Sequence, residues 1–260
     1  MINKIFDLEF AYLDTFTARH DREWGFLFLN EDQPAYYDAN HAHIRKLVDH
    51  PENVVDEVIS FYRAKNIIPR FYIYTPDQQP DLLSELKLKE FGYEELPSPV
   101  QLWDQKVINL ERNDAISIEE VTEANYQEAL EIECSIKEIG GREVREKALK
   151  EEFDNPAYQH FLLRYNGVAC STACIFAHGS QARMESVATL EEYRGKGLIG
   201  YIIQHIQQQV QKQGFENLWV FPINEQVEKV YNRYGFETVM TLTTGHAFLG
   251  GKSITEIQNR

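Results

Sequence analysis

The pattern of apolar and polar residues predicts that strands and helices alternate along most of the chain. In the first half, strands are expected at 24–29, 36–44, 70–74, 94–96 and 100–103, and helices at 51–62 and 81–91. The residues Pro97-Ser98-Pro99 predict a turn between the last two of these strands. Asp81 is expected to cap the second helix.

The second half continues the alternation. Its strands are expected at 115–121, 161–164, 168–176, 184–190, 217–221 and 244–249. Its helices are expected from 122–125 onward, at 142–153, from Ile199 to a stop at Gly214, and after Asn224. Gly140-Gly141 separates the first two of these helices, and Tyr165-Asn166-Gly167 predicts a hairpin turn.

The order of elements after residue 184 repeats the order found in the first half. The two halves also share a short sequence similarity: Phe91-Gly92-Tyr93 is similar to Tyr234-Gly235-Phe236, at an offset of 235 − 92 = 143 residues. These observations predict a tandem of two related units. We place a partial unit at 1–108 and a complete one at 109–260.

A glycine-rich loop follows the strand at 184–190. Its sequence is Arg194-Gly195-Lys196-Gly197-Leu198-Ile199-Gly200, and it opens a helix. The first amides of a helix have no intrahelical partner, the dipole is positive there, and glycine lets a ligand approach the backbone. Arg194 and Lys196 add positive charge. The loop is therefore expected to bind a pyrophosphate.

The same loop also matches the dinucleotide fingerprint, Gly195-x-Gly197-x-x-Gly200. Three observations disfavour a nicotinamide or flavin site. First, four polar residues, 191–194, separate the strand from the glycines. Second, the next strand is followed by Pro222-Ile223-Asn224, without the acidic residue that binds the ribose. Third, only 260 − 200 = 60 residues follow Gly200.

Two motifs resemble those of the GNAT acyl-CoA N-acyltransferases. Val187-Ala188-Thr189-Leu190-Glu191-Glu192-Tyr193-Arg194-Gly195-Lys196-Gly197 resembles their central motif, which carries a Gln/Arg-x-x-Gly-x-Gly/Ala loop. Asn224-x-x-Val-x-x-Val-Tyr-x-x-x-Gly-Phe236 resembles their second motif, usually Asn-x-x-Ala-x-x-Leu-Tyr-x-x-x-Gly-Phe. The two motifs stand in the family's order. One position departs from the pattern, because Ile199 replaces the final Gly or Ala of the loop.

The resemblance implies an α+β fold with a mixed sheet, complete in the C-terminal half and partial in the N-terminal half. It implies acetyl-CoA, or another acyl-CoA, as co-substrate for acyl transfer to a primary amine. The residues expected at the coenzyme are Val187, Ala188, Thr189, Arg194, Gly195, Lys196, Gly197, Leu198, Ile199, Gly200 and Asn224. The strand residues would offer backbone groups to pantetheine, and Asn224 would also cap a helix.

Two side chains are the catalytic candidates. By the motif match, Tyr231 would be the acid that protonates the thiolate; the alternative is a core role, since Tyr231 lies on an apolar helical stripe. Glu185 would accept the amine proton; the alternatives are a solvated strand charge or a partner for Arg183.

The first unit carries no equivalent of these groups. The same offset, 231 − 143 = 88, puts Leu88 at the position of Tyr231. The loop at 45–54 contains Pro51 and no glycine, so it cannot form the same amide cradle. The first unit is therefore expected to be structural.

Composition limits the partners. A formal charge of −15 disfavours nucleic acid and is compatible with an amine substrate. No apolar run approaches a membrane span, and the first ten residues lack a signal-peptide core, so we expect a cytoplasmic protein. The three cysteines, Cys134, Cys170 and Cys174, are expected to be reduced, and no metal is expected.

Two matters stay open at this point. A non-catalytic acyl-CoA-binding or regulatory module is the alternative to an enzyme. Neither the acceptor amine, the length of the acyl group nor the oligomeric state follows from the residues.

Overall fold

The computed structural model describes residues 1–136 and 141–258. The predicted helix break at Gly140 lies outside these residues. Two compact units make up the chain: a large unit, Met1–Thr15 with Pro99–Met240, and a small unit, Phe16–Ser98 with Thr241–Arg260. Neither unit is contiguous in sequence, and the predicted division into two related units at residue 108 stays a prediction. No helix in the described ranges is long and apolar enough to cross a membrane.

The elements alternate much as the residue pattern predicts. The strands are β1 (Ala18–Arg22), β2 (Gly25–Leu29), β3 (His41–Ile44), β4 (Arg70–Ile73), β5 (Gly92–Trp103), β6 (Ile116–Glu120), β7 (Tyr158–Tyr165), β8 (Val168–His178), β9 (Gln181–Thr189), β10 (Asn217–Val220) and β11 (Phe236–Phe248). The helices are α1 (Ile2–Leu13), α2 (Pro51–Arg63), α3 (Pro80–Leu88), α4 (Tyr126–Cys134), α5 (Gly141–Phe153), α6 (Leu198–Gln213), α7 (Glu225–Asn232) and α8 (Ile254–Gln258).

Several boundaries differ from the predictions. Helix α1 and strand β1 were not predicted, and of the strand expected at 36–44 only β3 forms. Gln79, not Asp81, precedes α3, because Pro80 fits the first position of a helix, where no amide donor is needed. The predicted turn at 97–99 is wrong, since Pro97 and Pro99 lie inside the continuous strand β5. A proline is tolerated in a strand where its nitrogen is not required by the ladder.

The small unit is a sheet with helices α2 and α3 packed on one face. Strand β2 is antiparallel to β1 and β3, and β3 is parallel to β4 with α2 as the crossover. Val55 and Val58 of α2 pack with Phe71 and Ile73 of β4 in its core. On the other face His41 stacks on Tyr72, with ring centroids 4.1 Å apart. Both histidines of β3, His41 and His43, are buried.

The large unit carries the sheet β6-β7-β8-β9-β10, followed by β5. Strand β10 is parallel to β9, with α6 as the crossover, and antiparallel to β5. One face of α6 supplies Ile202, Ile203 and Ile206 to the core, where they meet Leu218 of β10. Gly214 ends α6 in the left-handed conformation, at φ 76°.

The two runs of elements exchange their last strands. The order β3-α2-β4-α3-β5 corresponds to the order β9-α6-β10-α7-β11. Yet β4 pairs with the second part of β11, Gly245 opposite Ile73, while β10 pairs with the end of β5, Trp219 opposite Leu102. Each unit is thus completed by a strand that follows the other unit's helices in sequence, which accounts for the discontinuous division.

Candidate active site

Strand β9 continues beyond the end of its pairing with β10. The parallel pairing runs from Asn217 opposite Gln181 to Trp219 opposite Arg183, whereas β9 extends to Thr189. The other edge of β9 remains paired with β8 as far as Thr189. The edge of β9 that faces β10 therefore carries backbone groups beyond Arg183 that its neighbouring strand does not use. The coenzyme segment predicted at Val187, Ala188 and Thr189 lies there.

A β-bulge lies at the point where this divergence begins. Thr172 of β8 faces Ala188 and Cys174 faces Glu185, so one residue on β8 stands opposite two on β9. Ser186, in the bulge, has φ 50°, in the left-handed region. A bulge bends a strand and changes the direction of neighbouring side chains. Here it separates Glu185 from the segment expected to bind pantetheine.

The glycine-rich loop joins the end of β9 to α6. Gly195 and Gly197 have φ 76° and 73°, and a Cβ added at either would meet nothing within 4 Å. Glycine is thus required there by backbone conformation and not by crowding. Arg194 Nε donates a hydrogen bond to Thr189 O at 3.1 Å and ties the loop to the strand. Lys196 Nζ lies 4.7 Å from the centroid of the Tyr193 ring.

The departure at Ile199 does not obstruct the loop. Gly197 is the N-cap of α6, so Ile199 is already helical, and its half-buried side chain packs against the core of the large unit. Gly200 has a packing role, because an added Cβ would lie 2.7 Å from Tyr234 Cε1. The Gly200 amide donates to Gly197 O at 3.1 Å. The first-turn amides left for an anion are those of Leu198 and Ile199.

Asn224 caps the helix that carries Tyr231. Its Oδ1 accepts a hydrogen bond from the Val227 amide at 2.9 Å, which confirms the predicted cap of α7. The loop after β10 therefore turns directly into α7. The predicted contact of Asn224 with the coenzyme stays a prediction.

Tyr231 is both a core residue and a neighbour of Glu185. Its side chain is buried, and its ring centroid lies 5.8 Å from that of Phe236. No residue in the described ranges forms a hydrogen bond with its hydroxyl. Burial and, to a lesser degree, the charge of Glu185 raise the pKa of the Tyr231 phenol above its usual value. The phenol is therefore protonated throughout the neutral range.

Glu185 is half-buried and paired with Arg183, one of the alternatives stated for it. Arg183 Nε donates to Glu185 Oε1 and Arg183 Nη1 donates to Glu9 Oε2. The Arg183 guanidinium lies between two rings, 4.5 Å from the centroid of Tyr12 and 4.4 Å from that of Phe221. Burial raises the pKa of the Glu185 carboxyl above its usual value, although the Arg183 charge acts in the opposite direction.

Glu9 and Tyr12 were missed by the sequence analysis because helix α1 was not predicted. The signal was present, since Ile5, Leu8 and Tyr12 recur at three- and four-residue steps, and Ile5 and Leu8 are buried. Glu9 competes with Glu185 for the Arg183 guanidinium. An arginine shared between two carboxylates neutralises only one of them, which favours a raised pKa at Glu185.

Comparison with known proteins agrees with this geometry. Residues 125–236 match the model of the acetyltransferase (GNAT) family. A GCN5-related N-acetyltransferase from Kribbella flavida is 18% identical, with a TM-score of 0.71 and 97% of each chain covered. A functionally unknown conserved protein from Staphylococcus epidermidis is 13% identical, with a TM-score of 0.70, over 92% of this chain and 96% of that one. No curated protein sequence matches the chain.

The fold is thus that of the acyl-CoA N-acyltransferases. The segment 125–236, which matches the acetyltransferase (GNAT) family model, contains the loop, Glu185 and Tyr231. At identities of 18% and 13% the similarity to the solved structures concerns the fold alone.

Replacing Gly197 by alanine is expected to weaken coenzyme A binding about tenfold, or about 1.4 kcal/mol. The added methyl group would stand on the open side of the loop, and the left-handed conformation would be strained. Isothermal titration with coenzyme A measures the effect. Gly214→Ala is the matched control, because Gly214 has φ 76° at the other end of α6 and an equally open surrounding. Equal weakening in both variants would contradict the assignment of the loop.

Proposed function

We propose that the protein is an N-acetyltransferase that transfers the acetyl group of acetyl-CoA to a primary amine. The observation that carries the proposal is the divergence of β9 from β10 beyond Arg183, with the glycine-rich loop at the end of β9. Val187, Ala188 and Thr189 lie on the diverging segment, so their backbone groups are suited to bind a pantetheine arm in place of a neighbouring strand.

The loop is suited to bind the pyrophosphate of the coenzyme. The open surroundings of Gly195 and Gly197 and the first-turn amides of Leu198 and Ile199 support this role. Arg194 and Lys196 supply positive charge in a chain with a formal charge of −15. Gly200 contributes to this site indirectly, through its packing on Tyr234. Asn224 contributes by fixing the start of α7.

In the proposed reaction Glu185 takes a proton from the ammonium form of the acceptor, directly or through one water. The free amine nitrogen then attacks the thioester carbonyl carbon, the nitrogen releases its second proton to solvent, and the carbon–sulfur bond breaks as the amide forms. Tyr231 donates its phenolic proton to the departing thiolate and is reprotonated from solvent. The raised pKa of Glu185 suits a base for an amine, and the raised pKa of Tyr231 keeps its proton available.

The experiment that tests the proposal is incubation of the full chain with acetyl-CoA and a panel of amines. The panel contains polyamines, amino acids, amine-bearing antibiotics and peptides with a free N-terminus, and the free thiol is followed. We expect release of one thiol for each amine acylated. Coenzyme A binding without turnover on any amine would favour a non-catalytic acyl-CoA-binding module. Absence of thermal stabilisation by coenzyme A would remove the basis of both functions.

Glu185→Gln is expected to lower kcat/KM about 100-fold at neutral pH and to remove one acid limb from its pH profile. A base must be deprotonated, so the rate of the unaltered protein rises as pH passes the raised pKa of Glu185. The glutamine has no such ionisation, and only the ionisation of the amine would remain. Initial rates from pH 5 to 9 measure this. Glu191→Gln, an exposed change just after β9, is the control; an unchanged acid limb in Glu185→Gln would rule out the base role.

The substrate class and the compartment belong to the same proposal. An acidic chain attracts a cationic amine and repels nucleic acid. The cysteines at 134, 170 and 174 are free, which fits the reducing cytoplasm.

A further inference from the structure

Three potential metal ligands of the large unit converge inside the protein. Glu152 lies on α5, His160 on β7 and Cys174 on β8, and all three are buried. One carboxylate oxygen, one ring nitrogen and the sulfur lie within 4.8 Å of one another. His160 and Cys174 face each other directly in the β7–β8 pairing, so the sheet itself holds two of the three side chains together.

Polar atoms around this point lack partners. Neither ring nitrogen of His160 forms a hydrogen bond with any described residue, although the side chain is only 4% exposed. The nearest carboxylate oxygen, Glu152 Oε2, is 3.9 Å from His160 Nε2, too far for a hydrogen bond. Thr172 Oγ1, two residues before Cys174, is likewise without a partner among these residues. Buried polar atoms are nearly always satisfied, so the arrangement suits a group that the described residues do not supply.

The charges at this point favour a cation. Arg145 donates to Glu133 and to both oxygens of Glu152, so one guanidinium is shared between two buried carboxylates. The two ionised carboxylates and the one guanidinium together carry one surplus negative charge. Burial, with the charge of Glu152, raises the pKa of Glu133 to about 7 in spite of Arg145. Arg145 uses one lone pair on each Glu152 oxygen, at 3.0 Å, which leaves others for a metal.

We propose that Glu152, His160 and Cys174 bind one divalent transition-metal ion of the zinc class. Thiolate, imidazole and carboxylate are the ligands that zinc takes in proteins, and a water would fill the fourth tetrahedral position. Ideal ligand separations around tetrahedral zinc are roughly 3.3–3.6 Å, so the three ligand atoms, which lie within 4.8 Å of one another, must approach by about 1.5 Å at most. Binding releases the thiol proton of Cys174 to solvent and involves no change of oxidation state.

Such an ion would fasten α5 to the sheet through β7 and β8. This role does not require coenzyme binding or acyl transfer, so it stands whether or not the proposed function does, although Cys174 faces the proposed base Glu185 in the pairing of β8 with β9. The site departs from the expectation of no metal, because the ligands are 160 − 152 = 8 and 174 − 160 = 14 residues apart in sequence, without a short spacing of the zinc-finger type.

The test is a Co(II) titration of the reduced full chain after removal of metals with a chelator. We expect one Co(II) per chain, with a thiolate-to-cobalt charge-transfer band and intense visible bands of tetrahedral cobalt. Cys174→Ser should lose the charge-transfer band. Cys170→Ser should keep it, because Cys170 is equally buried on the same strand but packs in the opposite core with Ala173 and Ile175.

A second measurement guards against a variant that fails to fold. Zn(II) is expected to raise the melting temperature of the unaltered chain and of Cys170→Ser, with a smaller rise or none in Glu152→Gln. The proposal would be overturned if the unaltered chain showed neither cobalt bands nor stabilisation by Zn(II). In that case a proton would compensate the surplus negative charge of the two carboxylates. Equal loss of the bands in both cysteine variants would overturn it as well.

Discussion

Tyr231→Phe is expected to lower kcat about 100-fold while the KM for acetyl-CoA changes little. The change removes one oxygen, and no described residue forms a hydrogen bond with that oxygen, so little packing is lost. The variant loses the proton that the departing thiolate would receive. In the unaltered protein the raised pKa of the Tyr231 phenol keeps this proton on the phenol through the neutral range. Steady-state thiol release at saturating amine measures kcat.

Tyr201→Phe is the control for this experiment. The Tyr201 hydroxyl donates to Glu111 O at 3.1 Å on the exposed side of α6, so its removal should leave kcat unchanged. An unchanged kcat in Tyr231→Phe, with the same thermal stability, would return Tyr231 to the purely structural role that its position on the apolar stripe of α7 also allows.

Arg145→Met is expected to lower the free energy of unfolding by about 3–5 kcal/mol. The arginine is only 7% exposed and compensates Glu133 and Glu152, whose side chains are 1% and 10% exposed. Methionine fills a similar space but leaves two carboxylates facing each other in the interior. Urea unfolding at neutral pH, with a chelator present so that no metal contributes, measures the loss.

Arg142→Met is the matched control on the same helix. Arg142 also pairs with two glutamates, Glu131 and Glu146, but it is 51% exposed, and exposed ion pairs contribute little to stability. If charge is the cause, adding Glu133→Gln and Glu152→Gln to Arg145→Met should restore most of the stability. Equal losses in the two single variants would show that burial of the pair has little energetic weight.

The parts of the fold that could be predicted are those with local signals. The stripe Ile202, Ile203, Ile206 and Val210 defines α6 by its spacing, Gly214 marks its end, and Asn166-Gly167 places the hairpin between β7 and β8. The order of the two motifs led to the family, and both lie within residues 125–236.

The rest depends on long-range contacts. Pro97-Ser98-Pro99 has the composition of a turn, but it lies inside the continuous strand β5, whose end at Gln101 and Leu102 pairs with β10, a strand distant in sequence. The environment of Glu185 could not be predicted for the same reason: its pKa depends first on burial by the fold, then on Arg183 and on Glu9, which is 185 − 9 = 176 residues away in sequence. A sequence can present a glutamate as a candidate base, while its charge state is decided by what the fold brings to it.

The exchanged strands restrict where such a protein can be divided. A gene fragment that begins at residue 109 would encode the loop, Glu185 and Tyr231, but it would lack Glu9 and the end of β5 that pairs with β10. A fragment that stops at residue 108 would lack the part of β11 that pairs with β4. Neither fragment would contain every strand of its own unit, so cutting the chain at residue 108 is expected to destabilise both parts.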